Sequence, residues 1–357
     1  MAEKVALIAG AGGIVGRALM EEIAGRADWR AIGLSRHAPD ALPPGRHVRA
    51  DLFEPASLEA IGGDLAEVTH VFFTAYSQRA TGAEEDAPNL AMLQNLVEAV
   101  EPVARGLRHI QLIHGSKWYG SHYGPYPTPA REDQQRHPMG VFYYAQQDWL
   151  AARQAGRDWT WSTLRPHGIW GFALRSQLNM MQALAVYATV MKHMGQPLHY
   201  PGKASAFGAV YQCTEAAHLA RAMLWAASEP RAANQPFNMT NGDFIRWKTA
   251  WPVLARWFGM EPGEVRTFDV AAFMADKEPM WAEIRALHGL AEHRISDLTT
   301  WNAAINYMFN AEWDQMSSLT KARQAGWDGF VDTWEMIPRQ LGRLARDRII
   351  PMPPGGG

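Results

Sequence analysis

The sequence holds a single cysteine, Cys213, among 357 residues, so the chain can close no disulfide on itself and nothing calls for an oxidising compartment. Neither sign of charge dominates: 34 lysines and arginines face 36 aspartates and glutamates, for a formal net charge of −2. That balance leaves no basic footprint for nucleic acid or an anionic membrane surface. Long hydrophobic runs are missing too. The longest largely apolar stretch, Met180 to Met191, contains Gln182 and Thr189 and is too short to span a bilayer. The opening MAEKVALIAGAGG goes straight into a strand-like run, without the charged and apolar regions of a signal peptide. Together these absences make the cytoplasm the expected location, with no membrane and no nucleic acid among the partners. No spacing of histidine, cysteine and carboxylate matches a metal site. No internal repeat is visible, and only the PMPPGGG tail (351–357) has the composition of a disordered end.

What is present is the composition of a globular protein, 47% hydrophobic and 20% charged, long enough for one large domain or two smaller ones. Lys4 to Ala9 is a short apolar run of strand formers, followed by GAGGIVG and then a helix-like GRALMEEIAG. This is the strand, glycine turn and helix of an α/β Rossmann unit. Gly10, Gly13 and Gly16 keep the turn tight, admit a pyrophosphate to the backbone and aim the helix amides of Ile14 and Val15 at the anion. The bland alternative is a tight turn alone. The second strand, Arg30 to Leu34, ends in Ser35-Arg36-His37, where an NAD-specific fold would carry an acid for the ribose hydroxyls. Arg36 can instead grip a 2′-phosphate bidentately, which favours NADPH, unless it is merely a solvated surface arginine.

Val48 to Leu52 is the expected third strand, with Asp51 placed either to reach an adenine or to cap the helix at Pro55. Thr69 to Thr74 is the fourth, delivering Thr74, Ala75 and Tyr76 to the carboxyl edge where open parallel sheets bind ligands. Asn89 to Val103 reads as a crossover helix, His109 to Ile113 as the fifth strand and Trp159 to Leu164 as the sixth. Beyond RPHGIWGF (165–172) the chain changes character: Thr214 is the expected cap of a helix reading TEAAHLARAMLWAA, and eight of the 15 tryptophans follow residue 240. The pattern gives a doubly wound parallel sheet over 1–175, with 205–240 returning to it. A smaller, mostly helical lid covers 176–204 and 241–350.

The usual catalytic pattern of short-chain dehydrogenases, Tyr-x-x-x-Lys, is absent. Four residues on from Tyr143 stands Gln147, and four on from Tyr144 stands Asp148. A cation must come from elsewhere, and Lys117, in HGSKWYG (114–120), faces FYYAQQD (142–148) across a loop. Lys117 and Tyr144 are therefore the expected reacting pair, against the bland reading of a solvated lysine and a core Phe-Tyr-Tyr cluster. Counting back from Tyr119-Gly120, the position of the catalytic serine or threonine of extended dehydrogenases is Gly115, with Ser116 shifted by one. That argues against ordinary carbonyl reduction and sugar epimerisation. His114 and His167 are expected as satisfied structural histidines, and Cys213 as an inert core residue. Tyr119, Tyr123 and Tyr126 either line a pocket or pack the loop.

GAGGIVG, Ser-Arg after strand two, GSKWYG, FYYAQQD, RPHGIWGF and FNMTNGDFIRWKTAWPVLARWFG together resemble one family over nearly the whole chain: the progesterone 5β-reductase and iridoid synthase-like enone reductases, an atypical branch of the short-chain dehydrogenases. The resemblance implies that Lys117 and Tyr144 hold the catalytic positions. It implies that Gly10, Gly13, Gly16 and Arg36 hold the dinucleotide positions, and Ile14, Val15, Ser35, Asp51, Leu52, Thr74, Ala75 and Ile169 are expected to border NADPH with them. It also implies a pocket position for Tyr76, where plant members carry tryptophan, and Trp118, Tyr123, Trp313 and Met316 are expected to share that substrate pocket. Val141 replaces the family's asparagine and Gln147 its glutamate, and the loop between Lys117 and Tyr144 is shorter than in plant members. The implied activity is NADPH-dependent reduction of the C=C bond of a small hydrophobic enone or enal. The family expectation of a homodimer would use a helical surface such as Met180 to Lys192. Two rivals stand beside it: a carbonyl reductase or nucleotide-sugar epimerase or dehydratase of the extended class, and a non-catalytic NADP(H) sensor.

Overall fold

The structure is a computed structural model, and it describes residues 3–37, 43–176, 179–301, 305 and 307–355. Gly356 and Gly357, the end of the tail expected to be disordered, lie outside the described residues, whereas Pro354 of that tail lies against Gly259.

The first strand, Lys4–Ala9 (β1), is buried along nearly its whole length, as expected of a strand covered on both faces. Trp29–Ser35 (β2), Arg46–Arg49 (β3), His70–Phe73 (β4), His109–Ile113 (β5), Thr160–Pro166 (β6) and Gln235–Met239 (β7) complete a seven-stranded sheet in the order β7-β6-β5-β4-β1-β2-β3. Every neighbouring pair in it is parallel. The chain winds outward from β1 to β3, then crosses to β4 and winds the other way. The order therefore reverses between β1 and β4, the place where doubly wound sheets open a crevice at their carboxyl edge.

Helix α1 (Ile14–Ala24) packs with a later helix, Ala216–Ala226, on one face of the sheet, and helices α2 (Gly82–Val100) and α3 (Phe142–Gln154) cover the other. A third core lies outside the sheet. It is built around α4 (Met180–His193), with Trp247, Trp251 and Trp281 each 1% exposed and packed among Tyr200, Phe309 and Met336. Every residue of α4 from Met180 to Met191 is buried in this core, so the helix cannot supply the dimer surface assigned to it from sequence.

Several element ends differ from the sequence expectation for local reasons. Helix α2 begins at Gly82 rather than Asn89, because Thr81 and Glu84 form a reciprocal capping box upstream and Pro88 is absorbed inside the helix. Strand β3 stops at Arg49 rather than Leu52, because Asp51 opens a turn, its carboxylate accepting from Phe53 N at 3.0 Å. Asp51 does not cap the next helix either, since the N-cap there is Glu54. Thr214 is no cap: it pairs with Ile169 in a two-residue strand, and its hydroxyl donates to His167 O at 2.6 Å.

Candidate active site

The crevice has a cofactor side built mostly from backbone. Gly10 has φ +86°, and a Cβ placed there would lie 2.9 Å from Ala75 N. A Cβ on Gly16 would lie 2.4 Å from Gly10 O. Only glycine serves at either place. Gly13 is the N-cap of α1 and supplies no side-chain acceptor, so no side chain occupies the positive end of the helix that begins at Ile14 and Val15. The Thr74 hydroxyl donates to Ala9 O at 2.7 Å and ties the end of β4 to the start of the glycine turn. On the far side, Gly171 admits Ile14, whose Cγ2 would be 2.7 Å from an added Cβ, so the half-buried Ile169 and the residues after it lie close to the turn.

At the end of β2, Ser35 Oγ donates to His37 O at 2.6 Å and meets His47 Nε2 at 2.8 Å, while Arg36 is exposed and forms no ion pair among the described residues. Leu52 differs from the other expected cofactor neighbours, because its side chain is buried in the core beneath the sheet. These residues fit a dinucleotide: a glycine-rich turn, a helix N-terminus with no side-chain cap and a cation past β2 that forms no ion pair among the described residues.

The opposite side of the crevice carries chemistry on side chains. Lys117 sits in a 3₁₀ turn, Ser116–Tyr119, directly after β5, and its ammonium lies 5.9 Å from the centre of the Tyr76 ring. Tyr76 donates to Glu85 Oε1 at 2.5 Å, and burial, reinforced by that carboxylate, pushes its pKa up. Tyr76 thus stays a neutral phenol. The two tyrosines that open α3 go different ways. Tyr144 donates to Trp118 O at 2.5 Å and accepts from His137 N at 2.8 Å, which clamps the Lys117 turn to the loop that follows it. Its pKa is raised by burial, against the lowering pull of the His137 amide and of Arg136 and Arg165. Tyr143 stacks on His114 at 4.5 Å, and its hydroxyl lies 3.4 Å from the position a Cβ would take on Gly115, at the carboxyl end of β5. The Tyr143 hydroxyl thus lies at the carboxyl end of β5, the strand that the Lys117 turn follows. The one expected from sequence, on Tyr144, is spent on two backbone groups.

The expected pocket residues separate in the same way. Trp118 is 3% exposed, edge-on to Tyr144 and under the guanidinium of Arg165 at 3.7 Å, so it packs the turn rather than walling an open pocket. Tyr123 is exposed and stacks between His122 and His137. Tyr119 and Tyr126 are buried and pack the loop. Trp313 is half-buried and, like Tyr143 and Tyr144, packs against the cluster of Trp118, Tyr119, Tyr126 and Ala130. With Tyr211, Trp247, Met308 and Gln315 it also lines a small, tightly packed recess. Met316 accepts from Ala130 N at 2.8 Å through its carbonyl and so holds the loop to the C-terminal region.

Gln315 connects the recess to the lysine turn. Ser121 donates to Ser116 Oγ at 3.0 Å, Ser116 Oγ meets His167 Nδ1 at 2.7 Å, and His167 Nε2 meets Gln315 Oε1 at 3.0 Å. Burial lowers the His167 pKa to about 4, so the ring is neutral, with Nε2–H donating to the amide oxygen. His167 is a satisfied structural histidine. His114 is not, since neither ring nitrogen has a hydrogen-bond partner of good geometry and burial holds its pKa well below the ordinary value. Sequence reasoning missed the buried Arg165 and the Glu85 partner of Tyr76, and it weighed Tyr143 without choosing it. The available signal for Tyr143 was the count that placed Gly115 at the hydroxyl position of extended dehydrogenases.

Among the described residues no group of three histidine, cysteine, aspartate or glutamate side chains could hold a metal ion. No helix among them is long and apolar enough to cross a membrane. Residues 49–351 match the model of the PRISE-like Rossmann-fold domain. The chain is 32% identical over 366 residues to an (S)-8-oxocitronellyl enol synthase of Nepeta racemosa, covering 98% of this chain and 94% of that protein. It is 31% identical over 365 residues to the 3-oxo-Delta(4,5)-steroid 5-beta-reductase of Arabidopsis thaliana, with the same coverage of both. Among solved structures, an epimerase of Methanothermobacter thermautotrophicus superposes with a TM-score of 0.69 at 15% identity, covering 97% of this chain and 93% of that one. UDP-glucose 4-epimerase of Thermus thermophilus in complex with NAD superposes with a TM-score of 0.66 at 18% identity, covering 94% and 97%. At those identities the likeness is one of fold.

Proposed function

The chain belongs to the PRISE-like Rossmann-fold domain family, and from that premise we propose that it reduces the C=C bond of α,β-unsaturated carbonyl compounds with NADPH. The cofactor lies along Gly10, Gly13 and Gly16, with the 2′-phosphate at Arg36. Residues 1–175 and 205–240 serve the cofactor, and 176–204 with 241–350 serve the substrate. A bound nicotinamide supplies the hydride that adds to the β-carbon of the enone. Negative charge then builds on the carbonyl oxygen, to which the Tyr143 hydroxyl donates a hydrogen bond, and a proton taken up at the α-carbon, from solvent or from the tyrosine, completes the saturated carbonyl product. Lys117 holds a positive charge close by, which favours the developing anion and an ionised phenol. Tyr76 stays protonated against Glu85 and offers the substrate the face of its ring.

The observations that carry this reading are the Tyr143 hydroxyl, 3.4 Å from the position a Cβ would take on Gly115 at the carboxyl end of β5, and the Lys117 ammonium, 5.9 Å from the centre of the Tyr76 ring past β4. Among the reacting groups it departs from the sequence expectation in the choice of tyrosine. The structural likeness to epimerases favours no rival here, because their chemistry needs the Tyr-x-x-x-Lys helix and this chain has Gln147 at that place. The likeness of sequence is to an enol synthase and a steroid reductase, names that suggest enal and enone substrates.

Incubation with NADPH and 2-cyclohexen-1-one, followed by product identification, tests the reading. Cyclohexanone is the expected product. The allylic alcohol would instead make the protein a carbonyl reductase, and cofactor binding without oxidation would make it a sensor.

A further inference from the structure

Ser35 is flanked by two arginines. Arg36 follows it in the chain, and Arg49, at the carboxyl end of β3, is its partner in register across the parallel ladder. Both are exposed, and neither forms an ion pair among the described residues. The direction of Arg49 follows from the alternation of side chains along a strand. Val48 and Leu34 are buried in the core on the α2 and α3 side of the sheet, so His47, Arg49 and Ser35 belong to the opposite face. The 2.8 Å between Ser35 Oγ and His47 Nε2 agrees with that placement. It is the face covered by α1, since a Cβ on Gly33, two residues before Ser35, would lie 2.7 Å from Met20 Sδ.

An exposed arginine on an edge strand has an ordinary explanation, because charge there discourages pairing with another sheet. Arg46 fits it. At the amino end of β3, Arg46 is paired with Asp64 and, at 3.4 Å, with Glu67. Arg49 stands at the carboxyl end, the edge where open parallel sheets bind ligands, and has no such partner among the described residues. The groups between the two arginines of this corner offer an anion little. The Ser35 hydroxyl donates to His37 O at 2.6 Å and accepts from His47, whose pKa is lowered by burial, so that imidazole is neutral near pH 7.

Building on the cofactor proposed above, we propose that Arg49 is a second specificity-determining cation for the 2′-phosphate of NADPH, gripping it from β3 as Arg36 does from the end of β2. The chemistry of the group asks for two. A phosphate monoester carries a charge of about −1.5 to −2 at pH 7 and three acceptor oxygens, and one planar guanidinium engages two oxygens at a time. The second arginine takes the remaining oxygen and the remaining charge. NADH presents a neutral ribose hydroxyl in that place, from which neither guanidinium gains an ion pair.

The test reads binding alone. Adenosine 2′,5′-bisphosphate and 5′-AMP, which differ only in the 2′-phosphate, are titrated calorimetrically into the full chain. Arg49→Gln is expected to weaken the bisphosphate about tenfold, the scale of a charged hydrogen bond, and to leave 5′-AMP within about twofold of wild type. Retained 5′-AMP binding also shows that the variant is folded. Arg36→Gln should behave alike, and the double variant should bind the two probes about equally. Arg46→Gln, the control for surface charge, should change neither.

If Arg49→Gln binds the bisphosphate as tightly as wild type while Arg36→Gln does not, Arg49 is an edge charge, and the proposal is overturned with the cofactor reading intact. An equal loss with Arg46→Gln, or an equal loss of both probes with Arg49→Gln, overturns it as well, since general charge would then account for the effect. A wild-type protein that binds the two probes equally overturns the NADPH reading and this proposal together. The yield of cyclohexanone bears on neither, so the enone reading stands or falls on its own assay.

Discussion

The two sides of the crevice are specified by different kinds of information. The cofactor side is backbone: Gly10 turns with positive φ under Ala75, Gly16 lets Gly10 O approach, and Gly13 leaves the end of α1 uncapped. Each requirement belongs to one residue and its near neighbours in sequence. The reaction side consists of side chains from β5, α3, β6 and the loop at 120–141, and each owes its role to a partner far along the chain. Tyr144 is consumed by Trp118 O and His137 N, and Tyr143 is aimed at Gly115. Adjacent tyrosines on one helix point about 100° apart, since 3.6 residues make a turn, so the two hydroxyls meet different neighbours, and in the proposed function one takes part in the reaction while the other braces.

The comparison is broken most directly at Tyr143. Removing a donor aimed at a developing oxyanion costs about 2.7 to 4 kcal/mol, or roughly 10² to 10³ in kcat, so Tyr143→Phe should abolish most enone turnover while the cofactor Kd holds. If turnover survives within about fivefold, the reaction side has been assigned to the wrong hydroxyl. Next in size is Arg36→Ala. A charged hydrogen bond is worth about 1.5 to 3 kcal/mol, so KM for NADPH should rise at least tenfold while KM for NADH stays level. An equal change with both cofactors would return Arg36 to a solvated surface residue.

How much of this was legible follows the same division. The glycine turn, the first six strands as they follow along the chain and the Lys117 turn could be read because each is local in sequence. The fifth strand falls where its pattern placed it, at His109–Ile113. Pro88 masked the true start of α2, although Thr81 and Glu84 spell a capping box. The choice between Tyr143 and Tyr144 needed the rotation of α3 about its axis, and Val141 at its N-cap gives no side-chain bond to fix that angle. Arg165 stood inside RPHGIWGF in plain view. Its burial follows from β6 lying between β5 and β7, and β7 comes from residues 235–239, some seventy positions downstream.

A smaller effect sharpens the cofactor side. Gly16→Ala would bring a Cβ to within 2.4 Å of Gly10 O, where backbone must move. Overpacking of this kind costs about 1 to 3 kcal/mol, and here the displaced atoms are the ones expected to border the pyrophosphate. KM for both NADPH and NADH should rise together, about tenfold, unlike the selective change at Arg36. A Gly16→Ala protein with normal cofactor binding would show that the turn only packs.

The smallest effect, at Tyr144, tests the bracing half of the comparison. Tyr144→Phe keeps the ring against Trp118 and the Arg136 guanidinium and deletes only the hydroxyl. Trp118 O and His137 N then lose their partner, but the site is half-buried and water can replace it in part, so the cost should be about 1 kcal/mol. The loop at 120–141 should loosen, visible as faster amide exchange at His137, while kcat stays within about threefold of wild type. The pair of phenylalanine variants thus separates rate from stability. Tyr143→Phe is slow and well folded, and Tyr144→Phe is active and less stable. Were Tyr144→Phe the slow one, Tyr144 would hold the reacting hydroxyl, and its two backbone bonds would have to open when substrate binds.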